Sequence, residues 1–298
     1  IEAALNFMKR NFKADENNFW FIIMEKLEID SITALLKNRK TNSHKGDFGH
    51  ALLIAGSTNK MGAAVIASKA CLRSGVGLLT VAFYPENKSV LFNSIPEAMY
   101  TNSCVMNDLS SYQAIGIGPG IGVDEISLQY IYELYENKLP VVFDADALNL
   151  IAKYKIDWKN FNFPFILTPH PKEFDRLFGE HHSESERRIT AIQKAKELNC
   201  VIVLKGHKTF ITDGIHIFEN TTGNSGLAKG GSGDALTGMI TAFLAQGYTT
   251  LEASKLGVYL HGLAADISLQ TQSEESMLIT DVIENIGLAF KHLNSEIQ

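Results

Sequence analysis

Between Gly223 and Asp234 the chain reads Gly-Asn-Ser-Gly-Leu-Ala-Lys-Gly-Gly-Ser-Gly-Asp, and an apolar run from Ala235 to Ala245 follows at once. Gly230, Gly231 and Gly233 permit backbone conformations that side chains resist. Successive amide N–H groups can then turn toward one point. A helix beginning near Ser232 to Asp234 would add its unpaired first-turn N–H groups to that concave donor surface. Phosphate oxygens suit such a site. A carboxylate beside it repels phosphate unless it has a task, such as taking a proton from an attacking hydroxyl or holding a metal. Helix capping alone would account for Asp234, but not for the glycines packed before it. The Walker pattern is excluded, because no Gly-Lys-Ser/Thr follows at the required spacing, and the dinucleotide fingerprint is absent too.

Around this stretch, apolar strand-like runs alternate with helical patterns. Ala51–Ala55 ends at Gly56, the helical spacing of Ala63–Ser74 ends at Gly75 and Gly77, and Leu78–Phe83 is the next strand. Gln113–Ile117 leads into Gly118-Pro119-Gly120-Ile121-Gly122, and Pro140–Phe143 into Asp144-Ala145-Asp146-Ala147-Leu148-Asn149. Phe165–Leu167 leads into Thr168-Pro169-His170-Pro171-Lys172-Glu173, and Cys200–Leu204 into Lys205-Gly206-His207-Lys208-Thr209. The alternation predicts one α/β domain with a mostly parallel central sheet and helices on both faces. Phe210–Thr212 and Ile215–Phe218 around Asp213-Gly214 predict a late β-hairpin with a two-residue turn. Residues 1–40 are expected to form an N-terminal arm of unassigned role, and residues 41–298 the domain.

In such a sheet, ligands bind outside the carboxyl ends of the strands, which singles out the strand-end residues. Small residues at Ala63 and Ala64 would let a ligand approach a helix start, or merely pack tightly. Asp144 and Asp146 suggest a metal or polar contact, although capping is the better account of Asp146. His170, between two prolines, is stiffly placed. Glu173 could serve a hydrated metal or cap a helix. Lys205 beside Gly206 is a plausible phosphate contact.

The formal net charge of −6, with no dense basic run, argues against a nucleic-acid surface. Positive potential for phosphate must therefore be built locally. Cys71, Cys104 and Cys200 are widely spaced, and Cys71 and Cys200, inside apolar patterns, read as reduced core residues of a cytoplasmic protein. The apolar run Phe19–Met24 is too short to span a bilayer.

Taken in order, His44-Lys45-Gly46, Pro96-Glu97-Ala98-Met99, the Gly118–Gly122 turn, Asp144–Asn149, Thr168–Glu173, Lys205–Thr209 and Gly230–Asp234 resemble the NAD(P)H-hydrate dehydratase family of the ribokinase-like superfamily. The likeness covers about residues 41 to 293. It implies repair of a nicotinamide ring inactivated by addition of water: the (6S) hydrates of NADH and NADPH (NADHX and NADPHX) are phosphorylated on the ring hydroxyl, and phosphate then leaves.

Carried over by position, Asp234 would be the catalytic base. Ala63, Gly120, His170 and Asp234 would line the substrate site, and Lys205, Gly206, His207, Lys208, Thr209 and Gly233 the nucleotide site. The amides of Gly231, Ser232 and Gly233 would form the anion hole, with Mg2+ as charge partner and Glu173 as its candidate ligand. The His of Thr168-Pro169-His170-Pro171 resembles members that use ADP rather than ATP. A tetramer is the family expectation. Leu227-Ala228 departs mildly from the usual Met-Ala. The roughly 40 residues before the domain are too few for the epimerase domain of many bacterial relatives, which is on the order of 200 residues, so epimerase activity is not expected. The competing readings are a vitamin-precursor kinase of the same superfamily and a non-catalytic nucleotide-binding module.

Overall fold

The computed structural model describes residues 24–83, 88–102 and 109–295; Cys104 and the run from Phe19 to Ile23 lie outside them. In chain order the elements begin with β1 (Glu25–Lys26), α1 (Ile29–Thr33), β2 (His50–Ile54), α2 (Met61–Arg73), β3 (Leu78–Phe83), α3 (Lys88–Ser94) and β4 (Met99–Asn102). Then come β5 (Ala114–Ile117), α4 (Glu125–Glu133), β6 (Val141–Phe143), α5 (Ala145–Tyr154), β7 (Phe165–Leu167), α6 (Pro171–Phe178) and α7 (Glu184–Leu198). The last are β8 (Val201–Leu204), β9 (Phe210–Thr212), β10 (Ile217–Glu219), α8 (Ser232–Ala245), α9 (Thr250–Ser268) and α10 (Ile279–Ser295).

The strands form one sheet in the order β1-β10-β9-β8-β7-β6-β5-β2-β3-β4. Among the described strands only β9 runs against its neighbours. Alternate strand residues feed two cores. Ala51, Leu53, Val142 and Val203 pack with Ala67, Met239, Leu260 and Ile286 from α2, α8, α9 and α10. Leu52, Ile54, Phe143 and Ile202 pack with Ile131, Leu148, Phe174 and Ala195 from α4 to α7. Both faces of the sheet are thus covered, as the continuous apolar character of the strands predicts.

The apolar run after Asp234 is α8, buried at every position from Ala235 to Ala245. A helix apolar on all sides belongs in an interior, and α8 lies between the sheet, α2 and α9. Gly238 permits the α2 crossing: a Cβ there would overlap the carbonyl oxygen of Ala67.

The late hairpin forms between β9 and β10 as expected, but its connection is longer. Thr212 pairs with Ile217, so the connection is Asp213 to His216, four residues rather than two. Asp213 Oδ1 accepts the N–H groups of Ile215 (2.8 Å) and His216 (2.7 Å). That side-chain turn replaces the two-residue geometry and leaves Ile215 exposed. The described part of the arm joins the sheet. β1 pairs with β10, Leu27 N–H donates to Glu219 O at 2.9 Å, and Leu27 and Ile32 are fully buried.

Candidate active site

Strand order reverses between β2 and β5. Gly56 N–H donates to Pro119 O at 2.8 Å, joining the loops that follow these two strands. Beside this point, at the carboxyl ends of β6, β7 and β8, opens a cleft of about 650 Å3. Lining it are His170, Glu173, Lys205, Gly206, His207, Thr209, Ser232, Gly233 and Asp234. Chain segments far apart in sequence thus bring most of the expected site residues together.

Its floor is an ion pair. Asp144 directly follows β6 and is fully buried; its Oδ1 accepts from Lys205 Nζ at 2.7 Å and its Oδ2 from Thr237 Oγ1 at 2.7 Å. Glu173 Oε2 lies 3.8 Å from the same ammonium. Burial opposes the charge on Lys205, but Asp144, Glu173 and Asp234 outweigh it and its pKa is raised. A Cβ added to Gly233 would stand 3.2 Å from Lys205 Nζ, so the missing side chain lets this cation reach the start of α8.

Gly231 is the α8 N-cap in the left-handed region, φ 96. Ala235 N–H donates to Gly231 O, and Ser232 N–H reaches Lys229 O only at 3.4 Å. Among the described residues no backbone carbonyl takes the N–H of Gly231, Gly233 or Asp234. These donors remain available to an anion, with Lys205 beside them. Asp234 is half-buried. Burial first, then Asp144, raise its pKa to about 6, which leaves it mostly ionised at neutral pH yet more basic than an ordinary Asp.

His170 is the N-cap of α6. Its Nδ1 accepts from Lys172 N–H at 3.1 Å and Glu173 N–H at 3.3 Å, so in the neutral ring the proton is on Nε2. Burial, then Lys205, lower its pKa. Glu173 caps α6 through Oε2, which closes the capping box by accepting His170 N–H at 2.9 Å. Burial raises its pKa, with Lys205 opposing.

Asp146 is not the cap of α5. Asp144 holds that position, and Asp146 Oδ2 instead accepts from Lys60 Nζ (2.8 Å) and Gly122 N–H (2.9 Å). Four expected residues lie outside the cleft lining. Ala63 and Gly120 face each other at the switch point, where a Cβ on Gly120 would stand 2.9 Å from Ala63 Cβ. Lys208 Nζ turns to Glu219 Oε1 at 3.7 Å, and a Cβ on Gly231 would meet Ile66 rather than the cleft.

His261, on α9, also lines the cleft and was not read from the sequence. It is 7% exposed, its Nε2 has no hydrogen-bond partner, and burial with Lys205 lowers its pKa to about 4. A polar residue interrupting the apolar stretch Val258–Ala265 was the available signal. Among the described residues no group of three or more His, Cys, Asp or Glu is arranged to hold a metal ion, and no helix is long and apolar enough to cross a membrane.

The family model for NAD(P)H-hydrate dehydratase matches residues 51–287. The chain is 37% identical over 292 residues to the ADP-dependent (S)-NAD(P)H-hydrate dehydratase of Staphylococcus aureus, covering 92% of this chain and 99% of that one. It is 36% identical over 259 residues to the bifunctional NAD(P)H-hydrate repair enzyme of Vibrio cholerae, covering 85% of this chain. The match spans about half the length of that relative, 52%. The crystal structure of the ADP/ATP-dependent NAD(P)H-hydrate dehydratase of Bacillus subtilis, co-crystallised with ATP/Mg2+, superposes with a TM-score of 0.84 at 33% identity, covering 91% of this chain and 99% of that one.

Proposed function

The chain belongs to the NAD(P)H-hydrate dehydratase family, and from that premise we propose that it converts the (6S) hydrate of NADH or NADPH back to the reduced nucleotide, with ADP giving AMP and phosphate. The observation that carries the reading is the juxtaposition at the start of α8: a basic carboxylate, untaken amides of Gly233 and Asp234, and the Lys205 ammonium against Gly233.

In this reading Asp234 takes the proton of the ring hydroxyl as its oxygen attacks the terminal phosphorus of ADP. The bond from that phosphorus to the bridging oxygen breaks and AMP leaves. The amides and Lys205 meet the charge that builds on the transferring group. The ring-nitrogen lone pair then expels phosphate, a far better leaving group than hydroxide, and loss of the neighbouring C–H proton restores the double bond. His170, with its proton on Nε2, and the Ala63–Gly120 contact would position the hydrated ring.

The residues fit Mg2+ in one way: it takes one or two carboxylates and fills its shell with phosphate oxygens and water, so the lack of a protein cage is no obstacle. Glu173 would hold that shell, and the ion would neutralise phosphate charge. ADP is favoured over ATP by His170 between its prolines and by the likeness to the Staphylococcus enzyme. A tetramer is the proposed assembly and cytoplasm the proposed location.

The test is incubation with hydrated NADH plus ADP or ATP, following recovery of reduced-nicotinamide absorbance and release of free phosphate. Recovery without a lasting phosphorylated product supports the dehydratase; a stable phosphorylated alcohol would make the chain a kinase. No recovery with either nucleotide refutes the proposal.

A further inference from the structure

Outside the nucleotide cleft, the loops after β2, β5 and β6 meet at Lys60. Its carbonyl accepts Ala63 N–H at 3.1 Å, and a Cβ on Gly120 would stand 2.9 Å from both that oxygen and Lys60 Cβ. The backbone of Lys60 therefore builds the Ala63–Gly120 contact. Its ammonium crosses to Asp146 Oδ2 at 2.8 Å, and that oxygen also accepts Gly122 N–H. Both charges are near enough to Asp234 to act on it, Asp146 raising and Lys60 lowering its pKa.

The pair is unequal. The Lys60 side chain is 52% exposed and that of Asp146 15%. Without Lys60, Asp146 keeps the Gly122 amide and the positive end of α5, where an acid is favoured. A half-exposed ion pair of this kind contributes little to folding, so the ammonium can exchange partners at low cost. There is also a demand for it. Asp144, Asp146, Glu173 and Asp234 place four carboxylates at this end of the sheet, while Lys205 is held by Asp144 within the cleft. A polyanion approaching Ala63 and Gly120 nears the carboxylates of Asp146 and Asp234, and Lys60 is a cation placed beside those residues.

Resting on the dehydratase reading, we infer that Lys60 is a specificity-determining contact, leaving Asp146 to pair with the pyrophosphate of the hydrated dinucleotide as it binds against Ala63 and Gly120. The test compares wild type, Lys60→Met and Lys60→Arg on hydrated NADH and on hydrated reduced nicotinamide mononucleotide, which has one phosphate and no pyrophosphate. In Lys60→Met the KM for hydrated NADH should rise about tenfold, with kcat and the KM for ADP within about twofold. Lys60→Arg should restore most of the loss, and the mononucleotide should respond much less. An unchanged KM for hydrated NADH overturns the inference. So does a parallel loss on both substrates and ADP with a lowered Tm, which would make Lys60 a loop strut. An inactive wild type would instead sink the dehydratase reading and this inference with it, so the two failures are separable.

Discussion

Lys205 Nζ stands 2.7 Å from Oδ1 of Asp144, a carboxylate with no exposed surface, and the same ammonium borders the start of α8 at Gly233. Position and charge of the cation are thus set from beneath, by a residue just past the end of another strand. Asp144→Asn keeps the shape and removes the charge. Leaving the ammonium without its buried partner should lower stability by on the order of 3 kcal/mol and raise the KM for ADP. Urea melts and ADP titrations at saturating hydrated NADH check both.

Asp234 should impose an acid limb on the reaction. Its pKa of about 6 means that kcat/KM falls as pH drops through about 6, because the protonated form cannot accept the hydroxyl proton. Asp234→Asn should abolish the limb and lower kcat/KM by roughly 10²–10⁴, with ADP still bound. A pH series of initial rates shows whether the limb exists.

The same carboxylate should burden the fold. Its folded pKa lies above the usual Asp value, so the folded state binds its proton more tightly than the unfolded state does. The destabilisation is therefore full above about pH 6 and fades as pH falls toward 4. Asp234→Asn should be more stable than wild type at pH 7.5 by on the order of 1 kcal/mol, and the difference should vanish near pH 4. Equal melting curves at pH 7.5 would contradict this.

His261 works in the opposite sense. Its folded pKa, about 4, lies below the ordinary histidine value of 6.5, so between these values the unfolded chain takes up a proton that the folded one refuses. Stability from neutral His261 is complete above about pH 6.5 and is lost as pH falls toward 4. His261→Gln should flatten that part of the stability-against-pH curve, measured by denaturant melts at closely spaced pH values.

Gly238→Ala tests the α2–α8 crossing. The added methyl would overlap the Ala67 carbonyl oxygen, a backbone atom that cannot rotate away. A loss of at least about 2 kcal/mol is expected, read as a drop in Tm.

Much of this was legible in the sequence because its signals are local. The glycines before Asp234 place a helix start, and α8 begins at Ser232. The strand runs end in polar residues, and the strands feed one rim of one sheet. What escaped depends on partners distant in the chain. Capping was the better sequence-level account of Asp146, but its oxygen is taken by Lys60, 86 residues away. Asp144 could be noticed as a strand-end acid, yet nothing nearby shows that Lys205 and Thr237 share it. His261 has helical spacing typical of a core position, and only tertiary packing turns it toward the cleft. The late hairpin itself was legible, but not the length of its turn, because the Asp213 side chain supplies bonds that the backbone would make in a tighter one.

The pairing of β1 along β10 bears on where this chain can be shortened. A version starting at residue 41, as motif boundaries alone would suggest, would lack Glu25 and Lys26, strip Leu27 from its seat, and leave β10 with unmatched amides and carbonyls along one side. Such a border is adhesive toward other chains, so a preparation truncated at residue 41 should self-associate more readily than one that keeps residues 24–40.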